Sequence, residues 1–237
     1  IKVSLLGTAA DEIFGGYYDH YLLQIASLYQ NQKKDLLKLQ VEDFNKFTSK
    51  YIRNNELQNP YKYIKNPNSR NHIFDERIVI NKFLHRPSKR RFFEKKYCSD
   101  ILRNRMLNEL NCETTPVILN EDDLNSMNVS IENRSPFLDS NLVKFAYTIP
   151  TEFLIKNGYN KYILREAFKG IVHKDILKER RKIGFNSSIN DVFNLENKNI
   201  LNQIMDKKSP IFDLVDYSKM KKILKIKKYP NYLSKFV

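Results

Sequence analysis

The stretch that most constrains the fold of this chain lies at its start, at residues 2–17, and reads KVSLLGTAADEIFGGY. An apolar strand pattern at residues 3–6 is followed by a turn of small residues, and then by an acidic pair, Asp11 and Glu12, that opens a helix. Small side chains let a ligand approach the backbone, and free N–H groups at a helix start attract phosphate. Two interpretations are open: a phosphate site where Asp11 holds magnesium, or an acidic helix cap without a ligand.

Apolar residues recur at helical spacing between residues 18 and 28, so we predict one long amphipathic helix that runs on from Asp11. Gly15 and Gly16 lie inside this predicted helix and lower its intrinsic stability. We interpret the two glycines as points of close packing, or of approach to a ligand, rather than as a break in the helix.

The chain is strongly basic, with a formal net charge of +14 over 237 residues. Such a charge favours polyanions such as nucleic acid, anionic membranes or phosphorylated ligands. The densest basic stretch, residues 82–105, contains nine basic and two acidic residues, with aromatic residues between them. No nucleic-acid-binding motif accompanies it. We therefore predict an amphipathic helix with aromatic side chains inward and Lys and Arg outward, and no nucleic-acid partner.

The cysteine, histidine and hydropathy patterns indicate a globular protein of the cytoplasm. Cys98 and Cys112 are too few for a disulfide framework and lack the spacing of a metal site, and the four histidines are scattered. No stretch approaches the roughly 20 apolar residues that a membrane span needs, and no signal peptide is visible. Because the chain starts at Ile1, within a strand-like pattern, we expect it to be a fragment of a longer protein.

Glu132 and Arg134 stand on a segment that is too irregular for a plain helix or strand, just before a predicted helix at residues 138–146. If this segment is extended, side chains two residues apart point to the same side. Two interpretations stay open. The pair forms a surface salt bridge of little energetic value, or it supplies a carboxylate and a guanidinium to a polar substrate pocket.

A compact amphipathic helix is predicted for residues 158–170, GYNKYILREAFKG, in which Lys161 and Arg165 are four residues apart and share one face. Two cations on one face repel each other unless an acid or an anion lies between them. Glu166 and Asp175 are the candidate acids within the chain. A bound phosphate is the functional alternative.

Four motifs now occur in a fixed order, namely GTAADEIFGGY, SMNVSIENRSPFLD, GYNKYILREAF and RRKIGFNSSI. The chain resembles the C-terminal synthetase domain of glutamine-dependent asparagine synthetases and their relatives, and SIENRSPFLD followed by KYILREAF is the most specific part. The resemblance covers residues 1–194. Residues 195–237 are expected to form a helical tail of the same domain.

The resemblance implies an α/β fold, the C-terminal part of an ATP-pyrophosphatase (adenine nucleotide α-hydrolase-like) domain that is mostly α-helical in this fragment. It also implies that ATP and Mg²⁺ activate the side-chain carboxylate of aspartate as β-aspartyl-AMP, from which ammonia displaces AMP to give asparagine. The implied partners are aspartate, ATP and ammonia from glutamine, with an N-terminal glutaminase domain and a nucleotide-binding half upstream. A homodimer stays open.

The same resemblance assigns roles to individual residues. Adenylation requires that charge on the leaving pyrophosphate be neutralised by a metal and by Lys or Arg. Catalysis is assigned to Lys161 and Glu132, metal binding to Asp11, and substrate or ATP binding to Gly7, Thr8, Glu12, Arg134 and Lys182. Lys161 would stabilise the α-phosphate and pyrophosphate, and Lys182 would face the pyrophosphate. Glu132 and Arg134 would lie in the acyl-adenylate pocket.

The opening motif departs from the family pattern, which usually reads Ser-Gly-Glu-Gly-Ala-Asp-Glu. Thr8 stands where a carboxylate is usual, so the residues favour ATP-dependent amide formation more firmly than asparagine as the product. Ala9 replaces a glycine and would be strained if this position has a positive φ. The family's SGGxDS pyrophosphate loop and its N-terminal cysteine nucleophile have no counterpart in the sequence. The chain alone is therefore not expected to bind ATP fully or to use glutamine.

Three further functions remain open on the sequence. One is a related enzyme that amidates or cyclises another carboxylate, such as a cell-surface sugar acid, a peptide or a β-lactam precursor. Another is a non-catalytic remnant that binds a partner, which the substitutions at Thr8 and Ala9 would suit. The last is a nucleic-acid-binding module, which rests on charge alone.

Overall fold

The computed structural model describes residues 2–52, 54–69, 81–87, 93–182 and 197–224. The chain divides into two compact units. The first comprises Ile1–Ser69 and Phe93–Lys182, and the second comprises Arg70–Phe92 and Ile183–Val237. No helix in the described part of the chain is both long enough and apolar enough to cross a membrane.

The first unit contains a two-stranded parallel sheet. Strand β1 is Val3–Leu5 and strand β2 is Glu132–Arg134, and Val3 is in register with Glu132 and Leu5 with Arg134. The backbone N–H of Leu6 continues the pairing by donating to the carbonyl of Arg134 over 2.8 Å. The remainder of the unit is mostly helical. The predicted α/β fold class, mostly helical in this fragment, is confirmed.

The sheet is accompanied by a series of helices. In the first unit they are α1 Ala10–Phe14, α2 Tyr18–Gln30, α3 Lys34–Asp43, α4 Lys62–Lys65, α5 Ile101–Asn111, α6 Thr114–Met127, α7 Ser140–Thr148, α8 Tyr162–Ala167 and α9 Lys174–Lys178. A π-helical turn, Phe44–Thr48, follows α3, and 3₁₀ turns cover Ser49–Tyr51, Asn55–Leu57, Pro136–Leu138 and Thr151–Phe153.

The prediction of one continuous helix from Asp11 is wrong. Helix α1 ends at Phe14, because Gly15 adopts a left-handed conformation with φ 73° and its N–H donates to the carbonyl of Asp11. Helix α2 then begins at Tyr18. The apolar periodicity spans both helices although α1 packs in a smaller apolar cluster and α2 in the main core, so periodicity alone does not register the break.

Helix α2 is the centre of the core. Its residues from Asp19 to Leu28 are all buried, and it packs against α3, α4 and α5. The surrounding core includes Phe44, Tyr63, Leu102, Met106, Leu154 and Ile155. A smaller apolar cluster joins α1 to α7 through Ala9, Ile13, Phe14 and Ala146. These two clusters fix α1 and the start of α2 against the rest of the unit, and so fix the segment between them.

The predicted outward-facing basic helix at residues 82–105 is also wrong where the structure describes it. Residues 93–100 contain no helix, and Phe93 is 77% exposed. Arg103 and Arg105, in α5, are buried instead. Arg103 donates to the carbonyls of Ala146 and Ile149, so its charge serves helix packing. Residues 88–92 lie outside the described residues.

The second unit is described at residues 81–87 and 197–224. It contains α10 Lys198–Ile204, the 3₁₀ turn Pro210–Asp213 and α11 Tyr217–Ile223, which lie in the tail predicted to be helical. Leu84 and Val215 form an antiparallel bridge, and the N–H of Asp216 donates to the carbonyl of Phe83 over 2.7 Å. The domain boundary predicted at residue 194 falls outside the described residues.

Candidate active site

The turn between β1 and α1 has a strained backbone. Ala9 is buried and has φ 74° and ψ −4°, in the left-handed region. A residue with a Cβ atom loses roughly 1–2 kcal/mol in that region. The positive φ that is expected to strain Ala9 is therefore present. Gly7 is exposed with open space where a Cβ would lie, and Thr8 is half-buried. The turn delivers Asp11 into the first turn of α1.

Asp11 lies between two lysines that come from distant parts of the chain. The Nζ atom of Lys161 donates to Oδ1 of Asp11 over 2.7 Å, and Nζ of Lys182 donates to Oδ2. The side chains are 15%, 27% and 30% exposed for Asp11, Lys161 and Lys182, respectively. These three residues, here named the lysine–aspartate cluster, are thus partly desolvated yet open to solvent. Their surplus positive charge favours an anionic ligand.

The electrostatics of the cluster keep Asp11 ionised. Burial raises the pKa of the Asp11 carboxyl, but the charges and hydrogen bonds of Lys161 and Lys182 outweigh burial, and the net pKa is lowered from 3.8. Magnesium in proteins is typically held by one or two carboxylates together with substrate phosphates. One ionised carboxylate beside two lysines that can bind phosphate oxygens fits that donor set. The chain is therefore suited to a magnesium–phosphate ligand.

Gly16 makes room for the Asp11 carboxylate. A Cβ atom at position 16 would lie 1.7 Å from Oδ1 and 2.4 Å from Cγ of Asp11, far inside van der Waals contact. The backbone N–H of Gly16 also donates to the Asp11 carbonyl over 2.9 Å. This geometry agrees with the interpretation of Gly16 as a point of close packing, and any side chain there would displace the carboxylate.

Lys161 is positioned by a constrained turn. It precedes α8 as its N-cap and has φ 54°, in the left-handed region. Asn160, which is buried, donates from Nδ2 to the carbonyl of Tyr17 over 2.8 Å, and Nε of Arg165 donates to the carbonyl of Asn160 over 2.8 Å. These two bonds hold the residue before Lys161 from both sides and so fix the backbone that carries the Lys161 side chain.

The prediction that Lys161 and Arg165 share a helix face is wrong, because Lys161 lies outside the regular helix. Arg165 donates to backbone carbonyls, those of Asn160, Ile176 and Leu177. Neither Glu166 nor Asp175 is the acid beside Lys161. Glu166 pairs with Lys169 over 2.6 Å, and the partner of Lys161 is Asp11, 150 residues earlier.

Two tyrosines at the start of α2 hold Lys182. Its backbone N–H donates to the hydroxyl of Tyr18 over 3.0 Å, and its Nζ lies 5.1 Å from the ring centroid of Tyr17. A cation at this distance from an aromatic face is attracted by the ring quadrupole. Of the basic cluster predicted at residues 179–189, residues 183–189 lie outside the described residues.

The carboxylate of Glu12 faces the interior. Glu12 is 3% exposed and accepts a hydrogen bond from the Tyr17 hydroxyl over 2.6 Å. Burial, and then the bond to Glu12, raises the pKa of Tyr17, so the hydroxyl stays protonated and donates. Glu12 thus supports Tyr17 within the chain. Its assignment to substrate or ATP binding stays a prediction.

Glu132 and Arg134 pair with each other on β2. Nε of Arg134 donates to Oε1 of Glu132 over 2.8 Å, and both side chains are more than half exposed. The hydrogen bond and charge of Arg134 lower the pKa of Glu132. The prediction that this segment is too irregular for a plain strand is wrong, because it forms β2. The two side chains share one side of the strand, as expected for an extended segment. Among the described residues, no hydrogen bond or ion pair joins them to the lysine–aspartate cluster, and their place in a substrate pocket stays a prediction.

A second ion cluster, which the sequence did not indicate, is built around α2 and α5. Nε2 of His20 lies 2.6 Å from Oε2 of Glu109. Nη1 of Arg105 donates to Oδ2 of Asp19 over 3.2 Å, and its Nε donates to Glu94. All except Glu94 are buried. These five residues are here named the buried cluster.

The buried cluster is an ionic network inside the core that also brings three possible metal ligands together. Ligating atoms of Asp19, His20 and Glu109 lie within 4.8 Å of one another, but Arg105 already places a positive charge on Asp19. Burial lowers the pKa of His20, yet the charge and hydrogen bond of Glu109 outweigh burial and leave it raised. Arg105, which is already paired with Asp19, disfavours a further cation here.

The sequence interpretation missed the residues that support the candidate site. Tyr17 and Asn160 carry no charge and match no pattern typical of catalysis. Each nevertheless stands beside a predicted site residue or motif, since Asn160 precedes Lys161 and Tyr17 closes the opening motif. Position next to such motifs is the signal that could have found them.

Comparison with known proteins agrees with the resemblance carried by the motifs. A family model described as asparagine synthase matches residues 1–234. The chain is 31% identical over 200 residues to the glutamine-hydrolyzing asparagine synthetase 1 of Bacillus subtilis (strain 168), a match that covers 78% of this chain and 30% of that protein. It is 39% identical over 64 residues to asparagine synthetase 3 of the same strain, covering 27% of this chain and 10% of that protein. The chain therefore belongs to the asparagine synthase family.

Proposed function

We propose that this chain is the C-terminal part of an ATP-dependent amide-forming ligase, which converts aspartate to asparagine through β-aspartyl-AMP. The observation that carries the proposal is the lysine–aspartate cluster, in which two partly exposed ammonium groups flank one carboxylate. Membership of the asparagine synthase family supports the amide-forming chemistry. The names of the two relatives support asparagine as the product.

In the first half-reaction, the side-chain carboxylate of aspartate attacks the α-phosphorus of ATP and pyrophosphate leaves. Negative charge grows on the leaving oxygen, so fixed cations beside it lower the barrier. Lys161 and Lys182 are the described side chains suited to donate to these phosphate oxygens. Their anchoring by Asn160 and Tyr17 means that little reorganisation is needed when the charge develops.

Asp11 is proposed to hold Mg²⁺ together with the phosphate oxygens of ATP. Bound magnesium would neutralise phosphate charge and orient the leaving group. Before ATP binds, both carboxylate oxygens of Asp11 accept from lysines. Phosphate oxygens compete for Lys161 and Lys182, so their arrival is expected to free the Asp11 carboxylate for the metal.

In the second half-reaction, ammonia attacks the activated acyl carbon and AMP leaves. The nitrogen must then lose a proton. Glu132 is the predicted second catalytic residue, and its carboxylate, which pairs with Arg134, is proposed to take this proton. Both residues are proposed to act in the acyl-adenylate pocket, at the surface of β2.

A second candidate function is the same chemistry on another carboxylate, such as a cell-surface sugar acid, a peptide or a β-lactam precursor. The observation that favours it is the turn before Asp11. Thr8 is half-buried there and carries no charge, and Ala9 is held at φ 74°. A turn altered so close to the site suits a different acceptor or a different way of taking the ammonia proton.

The proposal extends to partners outside this chain. Ammonia would come from glutamine through a glutaminase domain, and a nucleotide-binding half would complete the ATP site. The reaction would take place in the cytoplasm.

The test is pyrophosphate release from ATP by the full-length gene product, with ammonia supplied directly. We expect release to depend on aspartate and to match asparagine formation one for one. Release with another acid, but not with aspartate, would support the second candidate. No release with any acid would reject both and indicate a non-catalytic remnant. Replacing ammonia by glutamine separates the ligase reaction from the supply of ammonia.

A further inference from the structure

For each member of the lysine–aspartate cluster, Tyr17 contacts either that residue itself or its neighbour in the sequence. It lies between α1 and α2 as the N-cap of α2, with an extended backbone at φ −87° and ψ 158°. Its hydroxyl contacts the neighbour of Asp11, its ring contacts Lys182, and its carbonyl contacts the neighbour of Lys161. We propose that Tyr17 is a positioning residue that holds the two lysines on either side of Asp11, a role that rests on the proposed function.

The hydroxyl anchors the side chain. It donates to Oε1 of Glu12 over 2.6 Å, and Glu12 is the residue next to Asp11 in α1. Because Glu12 is only 3% exposed, water competes weakly for this bond. The tilt of the Tyr17 ring is therefore set by the same helix that carries Asp11.

The ring positions Lys182. Nζ of Lys182 lies 5.1 Å from the ring centroid while it donates to Asp11. The Tyr17 ring also meets the His20 ring edge-on, with centroids 5.1 Å apart and an interplanar angle of 66°. Since His20 is fully buried, it restricts the ring from the side of the core. A ring fixed at its tip and its edge gives Lys182 a rigid surface.

The carbonyl positions Lys161. It accepts from Nδ2 of Asn160 over 2.8 Å, and Asn160 is 8% exposed. Lys161 follows directly and adopts φ 54°, a conformation that a residue with a Cβ keeps only where neighbouring contacts impose it. Tyr17 thus restrains Lys161 through the backbone and Lys182 through the ring.

The first part of the test is steady-state kinetics of the full-length gene product. Tyr17→Phe keeps the ring and removes the hydroxyl, and we expect kcat for pyrophosphate release to fall about tenfold with KM for the carboxylate substrate unchanged. Tyr17→Leu removes the ring as well and should lower kcat further. The matched control is Tyr29→Phe, at a position 56% exposed and distant from the cluster contacts, and it should keep the wild-type kcat. Equal kcat in all variants would overturn the proposal.

The second part measures position without catalysis. In protein labelled with ¹³C at the lysine ε-carbon, the Lys182 signal, assigned with Lys182→Arg, should carry a ring-current shift. The shift should shrink in Tyr17→Phe and vanish in Tyr17→Leu. If Tyr17→Phe does not fold, Glu12→Ala removes the same bond and should reduce the shift equally. An unchanged shift in the variant without this bond would overturn the proposal. Because this readout needs no turnover, it stands or fails separately from the proposed reaction.

Discussion

Two ion clusters meet at Tyr17 and His20, and they differ in burial and in charge balance. The buried cluster pairs Arg105 and His20 with three carboxylates, and the side chains of Arg105 and His20 are 1% and 0% exposed. The lysine–aspartate cluster has two cations on one carboxylate and remains 15–30% exposed. The contrast indicates that paired charges held away from water mainly support the fold, whereas a surplus of positive charge open to water is suited to an anionic ligand.

The largest effect should come from breaking the buried cluster. Arg105→Met removes the cation shared by Asp19 and Glu94, and we expect the free energy of unfolding to fall by about 3–5 kcal/mol, as measured by urea denaturation. The control is Lys33→Met, which breaks an exposed pair with Glu152 and should cost less than about 1 kcal/mol. Equal losses in the two variants would contradict the structural role of Arg105.

The next largest effect should be on turnover. Lys161→Ala removes a proposed phosphate ligand and should lower the rate of pyrophosphate release by at least about 100-fold. Because Lys161 is partly exposed, unfolding stability should change by about 1 kcal/mol or less. Lys169→Ala, at an exposed pair after the same helix, is the control and should keep the rate. A wild-type rate in Lys161→Ala would remove this residue from the site.

A smaller loss of turnover is expected when the Asp11 carboxylate is moved and no member of the cluster is removed. Gly16→Ala forces the Asp11 carboxylate away from its present position, since the new Cβ would lie 1.7 Å from Oδ1. We expect turnover to fall on the order of tenfold, measured as pyrophosphate release per folded molecule. Gly170→Ala is the control: its Cβ would meet open space but its φ of 83° strains an alanine, so it should cost stability and keep turnover per folded molecule. Full turnover in Gly16→Ala would show that the position of Asp11 does not matter.

The smallest expected effect is on the pH dependence of stability, which should differ in sign between the two clusters. The pKa of His20 is raised from 6.5, so its charged form stabilises the fold below that value and the contribution is lost as pH rises through the folded pKa. The unfolding free energy should therefore decline as pH rises above 6.5, as measured by urea denaturation at a series of pH values. Asp11 acts oppositely, because its lowered pKa gives stability that is lost as pH falls below 3.8. Glu109→Gln should flatten the alkaline decline, and an equally steep decline would contradict the pairing.

Local chemistry made part of this fold predictable. The strand, the small-residue turn and the acidic helix start follow from residues that are close in sequence. The shared side of Glu132 and Arg134 follows from extended geometry, whereas the regular strand β2 and its parallel pairing with β1 do not follow from these residues. Lys161 and Lys182 are predicted as site residues because they lie in family motifs. Their contacts with Asp11 depend on the tertiary fold.

The features that escaped prediction depend on distant contacts. The break at Gly15 is a left-handed turn, φ 73°, after which α1 and α2 pack in different apolar clusters. The charge of Arg105 alone predicts a surface position. Its burial is possible because the carboxylates of Asp19 and Glu94 compensate the loss of hydration. No periodicity in the sequence encodes a partner that lies many residues away.

The central claim is that the lysine–aspartate cluster binds phosphate, and titration calorimetry of the full-length gene product with pyrophosphate and Mg²⁺ tests it most directly. We predict that Lys161→Ala and Lys182→Ala each weaken pyrophosphate binding by at least about tenfold, and that Lys169→Ala leaves it unchanged. Equal affinity in the wild type and in both cluster variants would contradict the claim.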